Sequence, residues 1–320
     1  MMASTLKYVF GPVPSRRLGR SLGIDLIPYK TCSYDCIYCQ LGRTVEKTLT
    51  RKEYVPLEAV LDETGQRLAE EVEPDYITLS GSGEPTLYSR LDELIAGIRR
   101  LTRIPIAVLT NGSLLWIPEV RRGLLEADVV IPSLDAGSQD TFQAVNRPHR
   151  DLNFAEVLSG MASFRGEFGG QIWLEVFLLK RFTTDRAQVG RIARLAEQLK
   201  PDRIQLNTVL RPPAEKYALA VDSTTMHSLA AIFGDRAEVI SNAPESERGS
   251  AVEAGEAAIM GLLCRRPCTI QDVSRGLGVP AAEAAKRLEI LERDGEMAIR
   301  RRAGNIFYIP SRPRRHSRSH

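Results

Sequence analysis

The sequence predicts a parallel α/β domain followed by a small winged-helix domain. Between Ser21 and Thr208, short apolar runs alternate with longer amphipathic stretches, and the apolar runs are nearly continuous. Strands buried on both faces of a parallel sheet have this character. After Ile240 the composition changes and a new set of elements begins. A length of 320 residues suits one large and one small domain.

Six segments of the first part are predicted strands: SLGIDLIP (21–28), DYITLS (75–80), IPIAVLT (104–110), ADVVIPSL (127–134), QIWLEVFLL (171–179) and RIQLNT (203–208). The amphipathic stretches between them are predicted helices, at 57–72, 89–101, 118–126, 153–168 and 186–200. This alternation predicts a parallel α/β architecture. The pattern alone does not distinguish a barrel from a doubly wound sheet.

The C-terminal part has its own order of elements. Residues 241–255 are small, polar and without apolar period, which predicts a linker. Three helices at 255–266, 269–278 and 280–295 are then expected, followed by two strands within 296–310 around Ala303-Gly304-Asn305. This order predicts a winged helix-turn-helix. We therefore divide the chain into a core (1–240), a linker (241–255), a winged helix (256–310) and a disordered basic tail (311–320).

The composition is that of a globular protein, with 43% hydrophobic and 26% charged residues. No stretch approaches the roughly 20 apolar residues that cross a bilayer, and the N-terminus MMASTLKYVF lacks the regions of a secretory signal. Five cysteines, three of them clustered, fit a reducing compartment better than a disulfide framework. We therefore expect a cytoplasmic protein with no membrane partner.

Cys32, Cys36 and Cys39, in the run TCSYDCIYC, carry the clearest chemical signal. Three thiols at this spacing can bind three irons of one [4Fe–4S] cluster and leave the fourth iron open, whereas an electron-transfer cluster takes four cysteines. A zinc site would need a fourth ligand at short spacing, yet the nearest histidine is His149. The other alternative is three unrelated reduced thiols.

Glycine and polar residues follow several of the predicted strands. The run GSGEPTL (81–87) comes directly after DYITLS, and its glycines permit unusual backbone angles and close approach. Other strand ends carry polar side chains that could bind a nucleoside with a positive sulfonium, and each could equally be a turn residue or a helix cap. These side chains are Asn111, Ser133, Asp135 and, within the fifth strand, Glu175.

The CxxxCxxC spacing, with Tyr38 before the last cysteine, resembles the radical S-adenosylmethionine (SAM) superfamily, and GSGEPTL resembles its GGEP-type motif. The resemblance implies a partial (β/α)6 TIM-like barrel with its chemistry at the C-terminal ends of the strands. It implies a [4Fe–4S] cluster whose open iron is chelated by SAM. It also implies that a low-potential electron donor reduces the cluster, which then cleaves SAM to a 5′-deoxyadenosyl radical. The residues expected to bind SAM are Tyr38, Gly81, Gly83, Glu84, Pro85, Asn111, Ser133 and Asp135.

The segments GPVPSRRLGRSLGIDLIPYKTCSYDCIYCQLGRT, SLDAG and QLNTVLRPPAEKY are similar to the branch of this superfamily that contains the wyosine synthetases, which rebuild a guanine in tRNA. The similarity covers roughly residues 6–220 and implies an RNA nucleoside as substrate. Wyosine enzymes bind a second cluster through three cysteines that precede the SAM motif. This chain has no cysteine before Cys32, so pyruvate condensation onto a guanine is not expected.

Several basic residues of the branch pattern are candidates for contacts with substrate phosphates, although most lysines and arginines are simply solvated. They are Arg16, Arg17, Arg20, Arg51, Lys52, Lys180, Arg211 and Lys216. We expect Asn207 and Arg211, at the end of the last strand, to face the cavity. Cys264 and Cys268 are expected to be structural thiols, because Pro267 and only two ligands argue against a second cluster.

Charge is distributed unevenly, with a net +5 on residues 251–320 and −2 on residues 1–250. Arg300, Arg301 and Arg302 fall in the predicted wing and Lys286 with Arg287 on the third helix, an arrangement that would suit RNA or other nucleic acid. Winged helices also bind peptides or dimerise. Two alternatives therefore stay open: a radical SAM maturase of a peptide or small metabolite, and a non-catalytic iron–sulfur redox sensor that binds DNA. The SAM-type strand ends argue against the sensor.

Overall fold

The computed structural model describes residues 7–70, 73–240 and 256–311. The predicted linker and all but the first residue of the predicted tail lie outside these ranges. Within residues 7–240, eight strands form one sheet in the order β1-β2-β5-β6-β7-β8-β9-β10. The strands are β1 (Val9–Ser15), β2 (Gly19–Ile24), β5 (Tyr76–Leu79), β6 (Ile106–Thr110), β7 (Val129–Pro132), β8 (Gln171–Phe177), β9 (Arg203–Asn207) and β10 (Ala237–Val239), with a short separate pair β3 (Thr31–Cys32) and β4 (Glu46–Lys47).

The sheet is mostly parallel. All neighbours from β2 to β10 run parallel, and only β1 pairs antiparallel, with β2. The six predicted strands are confirmed, and the sheet gains an unpredicted strand at each edge. β1 contains Pro12 and Pro14 and changes register between Phe10 and Val13. Proline is tolerated only at an edge or a bulge, which is why this segment does not read as a strand.

Helices connect the parallel strands: α1 (Leu57–Ala69), α2 (Leu91–Leu101), α3 (Pro118–Leu124), α4 (Gln139–Val145), α5 (Phe154–Glu167), α6 (Arg186–Leu199) and α7 (Ser223–Ala230). The five predicted helices are confirmed with ends shorter by one to three residues. α4 and α7 were not predicted, because each is short and carries few apolar residues. Their N-termini are nevertheless marked by side-chain caps, Ser138 on Thr141 N and Asp222 on Thr225 N.

The two faces of the sheet have different neighbours. On β8, Ile172, Leu174 and Val176 belong to the main apolar core with the helices. Trp173, Glu175 and Phe177 alternate with them and lie on the opposite face, which we call the inner face. Trp173 packs there with Leu18, Val129 and other residues in a smaller apolar cluster.

The sheet is strongly curved. Arg17, in the turn before β2, forms an ion pair with Glu175 on β8. These two strands are four positions apart in the sheet, or about 19 Å if the sheet were flat, which is beyond the reach of an arginine side chain. Tyr76 on β5 and Trp173 on β8 have ring centroids 6.2 Å apart across the same face. The sheet therefore curls around its inner face, consistent with a partial barrel.

Residues 256–311, the C-terminal module, contain α8 (Glu256–Leu263), α9 (Ile270–Leu277), α10 (Ala281–Arg293), and the antiparallel strands β11 (Met297–Arg302) and β12 (Asn305–Pro310). The elements follow the expected order, and their assignment to the winged-helix class stays a prediction. Val13 of β1 packs into the module's apolar core. Arg211, after β9, donates from Nε to Pro267 O at 2.9 Å and from Nη2 to Asp272 at 3.1 Å. The module thus contacts β1 at one edge of the curled sheet and the segment after β9 near the other edge. No helix in the described ranges is long and apolar enough to span a membrane.

Candidate iron–sulfur and SAM site

The cysteine segment lies beyond the carboxyl end of β2 and packs against GSGEPTL. Lys30 N donates to Ser82 O at 2.7 Å, and Glu84 N donates to Thr31 O at 3.2 Å. A side chain at Gly83 would collide with Thr31 O and with Ile27, so this close backbone approach requires glycine. The two motifs, some 50 residues apart in sequence, therefore form one surface.

Each of the three thiols is within hydrogen-bond distance of a donor. Asn111 Nδ2 lies 3.5 Å from Cys32 Sγ, Asn146 Nδ2 lies 3.5 Å from Cys36 Sγ, and Lys30 Nζ lies 3.1 Å from Cys39 Sγ. Donors on sulfur favour thiolate ligands and tune the potential of a bound cluster.

Burial and neighbouring charges shift the pKa values of this segment. Burial raises the pKa of Cys32 to about 12 and that of Cys36 well above its usual value. Burial alone would lower the pKa of Lys30, but Cys39 and Cys32, once ionised, outweigh burial and raise that pKa. When no iron is bound, the thiols of Cys32 and Cys36 are protonated near neutral pH, so loading of iron releases protons.

The donor set fits a [4Fe–4S] cluster. Three cysteines of such a cluster each bind a different iron. Each of the three sulfurs has at least one hydrogen-bond donor, and Lys30 offsets negative charge. Cys32, Cys36 and Cys39 therefore fit the cluster.

Glu84 is buried at the centre of the site. Its Oε1 accepts from Thr86 N at 3.0 Å and from the hydroxyls of Thr86 and Thr110, both at 2.6 Å. Its Oε2 accepts from Asn111 N at 2.7 Å. Burial raises the pKa of Glu84, and these hydrogen bonds oppose the rise. Each carboxylate oxygen has about two lone-pair sites, and Oε2 accepts one hydrogen bond among the described residues, so it keeps one site for a ligand.

Asp135 organises a second group, after β7. Its Oδ2 accepts from Tyr38 Oη and from Asn146 Nδ2, the latter at 2.7 Å, and its Oδ1 accepts from Phe177 N at 2.9 Å. Burial raises the pKa of Asp135 to about 6, while the bonds from Tyr38 and Asn146 hold it down. The Tyr38 ring stacks on Phe177 with centroids 3.9 Å apart. Asn146 joins this group to Cys36, so Asp135 is coupled to the cysteine segment.

Comparison with known proteins decides the family. The family model of the Radical SAM superfamily matches residues 26–204, more than half of the chain, and spans the cysteines, Glu84 and Asp135. The chain belongs to the radical SAM superfamily. It also belongs to the UPF0026 family, because the UPF0026 protein of Methanocaldococcus jannaschii is 39% identical over 232 residues, 72% of each chain.

Two further matches are a longer relative and a solved structure. A protein of Brachyspira hyodysenteriae named GTPase Obg is 38% identical over 294 residues, 91% of this chain and 43% of that protein, so this chain spans less than half of that relative. The structure of a radical SAM methyltransferase from Sphaerobacter thermophilus superposes with a TM-score of 0.52 at 18% identity, covering 68% of this chain and 66% of the other, and shares the fold. Family and fold identify a radical SAM enzyme that uses a [4Fe–4S] cluster and SAM.

The remaining predicted SAM residues of this radical SAM protein lie around the same edge. Gly81 has a φ of 151°, and a side chain there would collide with the Asp25 carboxylate. Pro85 begins a short 3₁₀ helix after Glu84. Ser133 is half-buried, and its backbone forms an isolated parallel β-bridge with that of Glu175. Their roles toward SAM stay predictions.

Sequence reasoning missed four residues of this radical SAM site. Asp25 accepts from Ser82 N at 2.9 Å and from its hydroxyl at 2.6 Å, which fixes the glycine-rich turn. Ser33 accepts from Asn111 Nδ2 at 2.8 Å. The other two are Lys30 and Asn146. Lys30 carried a usable signal, a positive charge two residues before the first cysteine, whereas Asn146 reaches the site only because α4 ends there.

The basic candidates divide into two sets. Arg16, Arg17 and Arg211 come together near Glu175 and Asn207, which lie on the inner face. The others lie elsewhere: Arg20 at the start of β2, Arg51 on the carbonyls of Thr86 and Tyr88, and Lys52, Lys180 and Lys216 exposed. Cys268 is buried in the module's core, while Cys264 is half-buried.

Proposed function

We propose that this radical SAM enzyme modifies a nucleoside of RNA, with tRNA as the favoured substrate and the C-terminal module as the element that presents it. Cys32, Cys36 and Cys39 would hold the cluster, and the cluster with SAM would supply radical chemistry able to remove a hydrogen atom from the nucleoside. The protein's part is to orient SAM, exclude water and hold the nucleoside beside it.

One observation carries the proposal: the module lies beside the cysteine segment. Nε of Arg265, which follows α8, lies 3.6 Å from Oδ2 of Asp25, the carboxylate that fixes the glycine-rich turn packed on the cysteine segment. On β11, Arg302 Nη2 donates to Ala218 O of the core at 3.2 Å. The module and the site are therefore neighbours. Arg300 and Arg301 are exposed there, in a position to contact the phosphates of a polymer whose target base enters the curled sheet.

Within the site we assign SAM contacts from the hydrogen-bond geometry. The lone pair left on Glu84 Oε2 suits the ammonium of SAM, since a charge-assisted hydrogen bond is the strongest available there. Ser133 and Asp135 would bind the nucleoside part of SAM, and Tyr38 would hold Asp135 in place. A winged helix that presents RNA, the similarity to wyosine-related enzymes and a cytoplasmic location belong to the same proposal.

The deciding experiment is SAM cleavage by anaerobically reconstituted protein with dithionite, with and without RNA. Bulk tRNA should raise the yield of 5′-deoxyadenosine and acquire a new nucleoside detectable by mass spectrometry after digestion. Cys36→Ala protein is the matched control, because it lacks one cluster ligand. Cleavage that tRNA and other RNA leave unchanged would refute the RNA substrate and favour a peptide or metabolite. A full cluster with no SAM cleavage would favour a sensor.

A further inference from the structure

Three arginine side chains meet where the inner face adjoins the C-terminal module. Arg16 lies in the turn between β1 and β2, Arg211 follows β9, and Arg266 follows α8. Burial and then the charges of Arg211 and Arg17 lower the pKa of Arg16 to about 10, and Arg266 adds to the effect. Burial and then Arg266 likewise lower the pKa of Arg211. The contacts agree: Arg211 Nε donates to Pro267 O, directly after Arg266, at 2.9 Å, and Arg16 Nη1 lies 3.4 Å from Oδ1 of Asn207 at the end of β9.

The nearby carboxylates, Glu175 and Asp272, each already form an ion pair. Glu175 pairs with Arg17, whose Nη1 donates to Oε2 at 3.0 Å. Asp272 pairs with Arg211 and also accepts from Thr269 N as part of the N-terminal cap of α9. Arg16 has only a neutral partner, since its Nη1 lies 3.4 Å from Asn207 Oδ1.

Arg266 is the least satisfied of the group. Its Nε and Nη2 are buried and have no hydrogen-bond partner in the part of the chain that the structure describes. A guanidinium cannot lose its proton near neutral pH, and buried donors left without acceptors are destabilising. Among the described residues, the guanidinium groups of Arg16 and Arg266 thus have no carboxylate partner, and two N–H groups of Arg266 have no acceptor.

We propose that Arg16, Arg211 and Arg266 form a binding site for a phosphate group of the substrate, built jointly by the core and the C-terminal module. Two uncompensated guanidinium groups match the charge of about −2 on a phosphate monoester, and the arginine fork matches its oxygens. A single carboxylate would balance only one of them. Free nucleotides carry this monoester, whereas internal phosphates of RNA are diesters with one negative charge each, so two neighbouring RNA phosphates would be needed to balance both guanidinium groups.

The site lies close enough to the SAM residues for one ligand to reach both. Asn207 Nδ2 donates to Glu175 Oε1 at 3.0 Å, which ties the arginine group to β8. Two residues further along β8, Phe177 N binds Asp135, a step of about 7 Å along the strand. This inference rests on the proposed function, since the phosphate would belong to the nucleotide that reacts.

The test compares Arg266→Met with the wild type, both as full-length reconstituted protein with SAM. Inorganic phosphate, single nucleoside 5′-monophosphates and tRNA are titrated in turn by calorimetry. Wild type should bind phosphate and the nucleotides, and Arg266→Met should weaken both about 10- to 100-fold, with Arg266→Lys in between. Arg293→Met on α10, where Arg293 is exposed, should change nothing. In phosphate-free buffer, Arg266→Met should melt no lower than wild type, because no hydrogen bond of these donors is lost.

Three results would overturn the site: no binding of phosphate or nucleotide at millimolar concentration, binding of malonate but not of phosphate, or a lower Tm of Arg266→Met with unchanged phosphate affinity. Different results would refute the proposed function and the phosphate site. Nucleotide binding that depends on Arg266, without any RNA modification, would refute the RNA substrate and leave the site standing. RNA-stimulated cleavage that Arg266→Met does not alter would overturn the site and leave the function.

Discussion

At the residue scale, the cysteine thiols depend on neighbours that the cysteine spacing does not specify. Lys30 is 4% exposed, yet it stays charged because the neighbouring cysteines raise its pKa. A positive charge at 3.1 Å from Cys39 Sγ stabilises the more negative, reduced cluster. Lys30→Met should therefore lower the cluster's midpoint potential and slow SAM cleavage, while Lys30→Arg should behave like wild type. A potentiometric titration followed by EPR measures the shift, and an unchanged or raised potential in Lys30→Met would contradict the role.

Glu84 gives a second prediction at this scale. Glu84→Gln should weaken SAM binding about 10- to 100-fold, because it removes a charge-assisted hydrogen bond. Thr110→Val is the matched control, since Thr110 donates only to Oε1. That variant should lose stability but keep its SAM affinity within about twofold. Equal losses of affinity in the two variants, measured by calorimetry, would show that Glu84 supports the fold and does not contact SAM.

At the element scale, the important contact is that of the cysteine segment with the glycine-rich turn after β5. Gly83→Ala forces a collision with Thr31 O, so the two segments must separate. We expect reconstituted Gly83→Ala to hold well under half of the roughly four irons of one cluster. Gly166→Ala in α5, where nothing lies within 4 Å, should keep its iron and gain up to about 1 kcal/mol of stability. Full iron content in Gly83→Ala would show that the turn tolerates a shift.

Sequence periodicity predicted the elements better than the contacts between them. The strands β2 and β5 to β9 were predictable because their apolar runs are nearly continuous, whereas the prolines of β1 concealed an edge strand. The three cysteines and Glu84 lie in local motifs that the sequence shows directly, and their roles stay predictions. Asn146 and Arg266 could not be found, because each owes its position to tertiary packing. Pairing across the inner face, as in Arg17 with Glu175, depends on the curvature of the whole sheet.

At the scale of the whole molecule, the C-terminal module is tied to the core by side chains of both parts. Arg302 Nη2 on β11 donates to Ala218 O at 3.2 Å, so this residue serves the contact with the core. Arg300 and Arg301 are exposed. Changing both to Gln should therefore weaken RNA binding and reduce its salt dependence by about one unit of slope per lost phosphate contact. Arg302→Gln should leave that slope unchanged. Equal salt-dependence slopes for wild type and the double variant would show that Arg300 and Arg301 do not contact RNA phosphates.

The distance in sequence between Cys36 and Asn146 has a consequence for biosynthesis. The two residues are 110 positions apart, and ribosomes add about 5–20 residues per second. The thiol is therefore synthesised roughly 5–20 s before the amide that will bind it. Contacts of such separation also form late in folding. For that interval the nascent chain presents three bare cysteines to its surroundings, so oxidants and stray metal ions can reach them before the native pocket exists.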